Sequence, residues 1–258
     1  MKRLLVTSVI VGIIAGLLVG GFYNLFQVPV MERAIALEEE RAASVTPAGA
    51  EEEEEEGIPV SLGVQRIGMV FGTAIYGAIL GLFFSVGFVL LHRAAPSWPV
   101  VWVAITVGAL GFWSLSLSPF IKYPLNPPGV GDEATLLMRQ FGQTLFMLIS
   151  AAAIGIALDA IRRIHQNFAE FASRRLWYGG VLGVYAILAL VMVFAFPGNP
   201  DPVPVPIDLL ELFRALTMAG QFLIWALLAA GVTLALLWHQ RSETARATAP
   251  TPATGLAR

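Results

Sequence analysis

The chain has 258 residues, 57% hydrophobic and 13% charged, with a mean hydropathy of +0.73 and a formal net charge of −2. A soluble domain carries about 25% charged residues, so this composition places most of the chain in lipid. Cysteine is absent, which excludes disulfides, thiolate metal centres and cysteine nucleophiles.

Met1-Lys2-Arg3 followed by apolar residues from Leu4 has the basic start of a secretory signal. The apolar run continues to about Phe26 without a small-x-small cleavage pattern behind it. A stretch of that length crosses a hydrocarbon core of roughly 30 Å. It reads as an uncleaved first span, with removal as a signal peptide the alternative. Six stretches are long enough to cross: about 4–26, 66–91, 98–118, 140–161, 176–196 and 214–238. None alternates polar and apolar residues, and a helix satisfies its own backbone in lipid. The expected fold is an all-α integral membrane protein, a six-helix transmembrane bundle over residues 1–241. A Ser/Thr/Ala/Pro-rich tail over 242–258 is expected to be disordered.

Charge placement sets the orientation. With the N-terminus in the cytoplasm, ten Lys and Arg residues fall inside and six outside, the bias being strongest at 162–175. Both termini then face the cytoplasm, across the cell (inner or plasma) membrane. The longest connection, about 27–65, is an outer acidic loop with the run Glu51 to Glu56. Adjacent glutamates repel and bury no core, so its middle is expected to be disordered. Small residues recur four apart: Gly12, Gly16 and Gly20, then Gly68, Gly72, Gly77 and Gly81, then Gly179 and Gly183. That spacing lets helices approach closely; the alternative is a glycine-lined path for a substrate.

Taken in pairs, the spans show a recurring outline. Each odd span ends near a proline, and the even spans open on Arg66, Arg139 and Arg214, which are 73 and 75 residues apart. Three repeated helical hairpins would each set an arginine at the outer boundary. Those arginines either gather to bind an anionic ligand, or reach phosphate headgroups and nearby acids.

Catalytic signatures are missing: no GxxxxGK[ST], HExxH or GxSxG occurs, and the lysines are Lys2 and Lys122 alone. An enzyme, a bound cofactor and a nucleic-acid partner are not expected. His92, His165 and His239 fall at span ends beside arginines and read as interfacial. Polar groups within spans are costly and mark candidate pathways. Thr73, Gln143, Thr144 and Gln221 lie in the outer third with Asn24 and Thr217, and Asp159 lies near the inner end, next to Arg162 and Arg163. For a metal ion the outer carboxylates Asp132, Glu133 and Glu211 are the candidate ligands, though they form no complete shell by themselves.

The Pro- and Gly-rich connector KYPLNPPGVGDEATLLMRQ begins at Lys122. It resembles the central loop of the CbtA family, membrane proteins described as probable cobalt transporter subunits. The Gly-rich first span, the Val28-Pro29 exit and Arg139 followed by Gln143 and Thr144 fit the same pattern. The resemblance implies a cobalt ion as cargo. It also implies a small single-span partner with a histidine-rich end, in addition to the lipid bilayer. The alternatives are a non-conducting scaffold that docks a partner protein, and the anion binder with three outer arginines.

Overall fold

The structure is a computed structural model that describes residues 1–45, 61–128, 130–131, 133–168, 170–199 and 201–248. Its elements are helices: α1 (Lys2–Phe26), α2 (Val28–Val45), α3 (Leu62–Ala94), α4 (Val100–Phe112), a π-helical segment (Trp113–Leu117), α5 (Ser118–Lys122), α6 (Glu133–Asn167), α7 (Phe171–Ala195) and α8 (Ile207–Thr248). Six of the described segments are long and apolar enough to cross a membrane: Lys2–Phe26, Leu62–Ala94, Val100–Lys122, Ala134–Asn167, Arg174–Ala195 and Ile207–Ala245. The third is α4, the π segment and α5 run together. This is the all-helical six-span bundle expected from the apolar runs. We call the end carrying the 122–133 connector the connector end, and the other, holding Met1 and Thr248, the terminal end.

Four of the spans make the core. α1 packs along α3, α3 against α4, α4 against α8, and α8 back against α1. Phe84, Val103, Leu228 and Val232 fill the centre of this ring with almost no exposure. The α1–α3 seam is the tightest contact, because Gly12 lies against the Gly77 carbonyl, Gly16 against the Thr73 carbonyl and Gly81 against the Ser8 carbonyl. Backbones this close gain dispersion and Cα–H···O contacts that a larger side chain would prevent. The other small-residue pairs do no such packing. A Cβ at Gly68, Gly72, Gly179 or Gly183 would meet nothing within 4 Å.

α6 flanks the ring on α3 and the π segment, and α7 packs chiefly on α6. Between α7 and α5 runs a mostly apolar groove of about 450 Å³. It is bridged where Trp113 Nε1 donates to Tyr185 Oη at 2.6 Å. Three equivalent hairpins are therefore not what the chain forms. α1 and α3 do pair, but α8 leaves α7 and inserts between α1 and α4, where Gly108 and Gly111 admit Ala229 and the Trp225 ring.

Two further expectations change. The first part of the acidic connection is a helix: α2 lays Val30 and Ala34 on Leu209 and Phe213 of α8. The Glu51–Glu56 run lies outside the described residues. At the other end α8 continues past Ser242 to Thr248, so 242–248 is helical, while 249–258 lies outside the described residues. Ser242 and Thr244 hydroxyls bond back to the His239 and Gln240 carbonyls, and Glu243 pairs with Arg3 at 2.9 Å.

Candidate functional site

The interior of the four-helix ring is mostly apolar, with isolated buried hydroxyls at Ser8, Ser85 and Thr233, and a linked set of polar side chains lies in its connector half. There Gln221 of α8 presents its side-chain oxygen to two hydroxyls. Tyr76 of α3 donates to Oε1 at 3.1 Å, and Ser116 of the π segment donates to it at 2.9 Å. Trp225, one turn along α8, donates from Nε1 to Ser116 Oγ at 3.1 Å. Nearer the connector end, Tyr23 of α1 donates to the Thr217 carbonyl at 3.0 Å. Gln27, where α1 gives way to α2, donates from Nε2 to Thr217 Oγ1 at 2.9 Å. Its Oε1 is buried without a hydrogen-bond partner.

The local sequence explains this arrangement. Pro119 has no N–H to offer the Leu115 carbonyl, so the helix ladder fails just ahead of it. The Ser118 N–H instead reaches back five residues to Trp113. The wider turn alters the phase of the helix. Ser116 faces α8, whereas Trp113 reaches Tyr185 and Ser118 pairs with Ser150 of α6 at 3.1 Å. π segments of this kind recur at functional positions. The cluster holds amide, hydroxyl and indole groups and no ionised side chain, so what it offers a polar or charged ligand is neutral oxygen donors. A half-turn of the Gln221 amide would let its N–H groups donate to both hydroxyl oxygens, whose own protons would then have to turn to other acceptors. The carbonyl oxygen would then face the other way.

The candidates from the sequence are dispersed. Gln221 is central to the cluster. Thr73 is half-buried and donates to the Met69 carbonyl at 2.6 Å within its own helix. Gln143 is half-buried and Thr144 exposed, both on α6 outside the ring. Asp159 accepts from Arg162 at 2.8 and 3.0 Å and from Arg163 at 2.6 Å. The three arginines hold separate partners. Arg66 pairs with Glu32 of α2 at 2.7 Å, and Arg139 with Asp201 at 3.1 Å. Arg214 donates to Asn126 Oδ1 at 2.9 Å and to the Leu125 carbonyl at 3.2 Å. Arg139 and Arg214 thus each tie down the other pair's loop. Lys122 and Tyr123 add to the lacing by bonding the Val193 and Pro197 carbonyls.

Glu211 is exposed on α8. Asp132 lies outside the described residues, as does the side chain of Glu133. Among the described residues no three His, Cys, Asp or Glu side chains gather as a metal site. The histidines are exposed at the terminal end, His92 beside the Phe88 ring and His165 at 3.3 Å from Arg174. Sequence reasoning passed over Tyr23, Gln27, Tyr76, Ser116 and Trp225. The alternating serines 114, 116 and 118 ahead of Pro119 were the available signal.

A family model described as probable cobalt transporter subunit (CbtA) matches residues 1–239, which take in five spans whole and the sixth up to its last turns. The chain belongs to the CbtA family. No curated protein and no solved structure matches it. A CbtA chain is a membrane protein and, by the family's description, one subunit of a transporter, which implies a partner subunit.

Proposed function

We propose that this CbtA chain is the membrane subunit that carries cobalt, as a divalent cation, through its helical bundle into the cell. The observation that carries the reading is the meeting of Tyr76, Ser116 and Gln221 from three helices of a mostly apolar ring. Their oxygens, with Thr217 and Gln27 toward the connector end, replace part of the hydration shell that an ion gives up on entering lipid. The excess of Lys and Arg at the terminal end supports an outward-facing connector end. An inside-negative potential then supplies about 2.3 kcal/mol per charge per 100 mV, or about 4.6 kcal/mol for a divalent ion. A partner with a histidine-rich end would bring the imidazole ligands that this chain does not gather.

The test is accumulation of radioactive cobalt in cells lacking the chain and complemented with wild type or Gln221→Ala. Uptake is expected to be restored by the first and not by the second, at equal amounts of membrane protein. Unchanged accumulation on deletion, with the partner present, sinks the reading.

A second reading, a scaffold that conducts nothing, is favoured by the lack of a grouped His/Cys/Asp/Glu site among the described residues. Ion flux into liposomes holding the purified chain with and without its partner separates the two.

A further inference from the structure

We propose that Asp201 is a divalent-cation capture site whose resident counter-charge is the side chain of Arg139. The Asp201 side chain is 4% exposed, against 38% for Glu32 and 37% for Asp159. The other carboxylates among the described residues, as far as their side chains are described, are exposed. A carboxylate held that far from water requires a positive partner.

Arg139, itself 19% exposed, supplies one from Nε at 3.1 Å. Thr135, one turn earlier on α6, donates its hydroxyl to Asp201 Oδ2 at 2.7 Å. Asn199 Oδ1 accepts the Asp201 backbone N–H at 3.1 Å. A carboxylate, a hydroxyl and an amide oxygen are thus close together where the α7–α8 loop meets the start of α6.

This donor set suits a hard or borderline divalent ion that keeps most of its water. It lacks the imidazole or thiolate that would select among transition metals. A guanidinium and a divalent ion on one carboxylate repel each other strongly in a site of low polarity, so cation capture competes with Arg139. That guanidinium lies directly against Gly131, whose φ of 119° belongs to the left-handed region. Loosening of Arg139 removes one of the contacts between the connector and α6, the Tyr123 ring against Gly142 and Phe146 being another. The same connector is bonded through Asn126 to Arg214 of α8, the helix that carries Gln221. Occupancy at the surface is in this way linked to the polar cluster inside.

The inference rests on the cation-transport reading for its role, but binding to purified protein tests it apart from flux. Co²⁺ is titrated calorimetrically into wild type, Arg139→Gln, Asp201→Asn and the double variant. Arg139→Gln is expected to bind about tenfold more tightly than wild type or better, and the double variant to lose that gain. Binding by Arg139→Gln no tighter than wild type, or unaffected by adding Asp201→Asn, overturns the proposal.

Should Arg139→Gln fail to fold, wild type and Asp201→Asn decide the matter by thermal unfolding in millimolar Co²⁺. Wild type must gain stability that Asp201→Asn does not; equal shifts overturn the proposal. Binding that follows this pattern while cells accumulate cobalt without the chain would refute the transport reading alone.

Discussion

Replacing Gly16 by alanine builds a methyl group into the α1–α3 seam. There it meets the Thr73 carbonyl oxygen, the Ala74 Cα at 2.7 Å and the Thr73 carbonyl carbon at 2.9 Å. All three are main-chain atoms, so no rotamer change relieves the clash. Carbon contacts settle near 3.5–4.0 Å, roughly, so the two helices must part locally by about 1 Å. A gap of that size forfeits about a quarter to a half of each neighbouring contact, and overpacking of this kind costs about 1–3 kcal/mol. Gly72→Ala is the matched control. It makes the same change of helix propensity in the same membrane, on α3, but its methyl meets nothing within 4 Å. Taking about 2 kcal/mol for the steric term, the two variants should differ in Tm by about 4–8 °C. Thermal unfolding in one detergent, followed by tryptophan fluorescence, measures this. Equal stability of the two variants would refute the claim that backbone proximity holds α1 to α3.

Because the chain has no native cysteine, single cysteines at Asn199 and Glu170 can be labelled in intact cells with a membrane-impermeant maleimide. Reaction at 199 and protection at 170 are expected; the reverse pattern inverts the assigned orientation. Tyr185→Phe removes the bridge from α7 to Trp113 and should cost about 0.6 kcal/mol, the usual worth of an interhelical hydrogen bond in a membrane. Faster hydrogen exchange confined to α7 is the readout, and a change spread over α1 and α3 would contradict the peripheral placement of α7. Arg214→Gln cuts the tie to Asn126 and Leu125, so proteolysis within 122–133 should accelerate while the thermal midpoint moves little. Unchanged cleavage would show that the connector is held by other contacts.

The six spans were legible because apolar runs of this length have few other outcomes in lipid, and Gln221 because an amide is rare there. Its companions were not. Tyr76, Ser116 and Trp225 are ordinary residues for a membrane helix. Which way Ser116 points depends on the π turn that Pro119 provokes, a change of helical phase that hydropathy does not register. Neighbour choice was equally hidden, since nothing in the apolar content of α8 says that it will insert between α1 and α4 and leave α7. The glycine spacing was half informative: Gly12 and Gly16 face a backbone, whereas Gly179 and Gly183 have the same spacing and face none. In α2 the pattern Val30, Ala34, Leu37 was readable as a helix face, but the density of glutamates masked it. The Arg139–Asp201 tie joins residues 62 apart in sequence, so no local reading reaches it.

The position of α8 also sets an order of events during biosynthesis. It is the last of the six spans to leave the ribosome, and the central ring cannot close before it arrives. At about 5–20 residues per second, the first span waits on the order of 10–40 s for its partner. Through that interval Tyr23 lacks the Thr217 carbonyl, and Tyr76 and Ser116 lack Gln221. A nascent chain stalled before residue 207 would therefore present unsatisfied polar groups to lipid. Closure of the ring must wait for α8, which in this way acts as its own proofreading step.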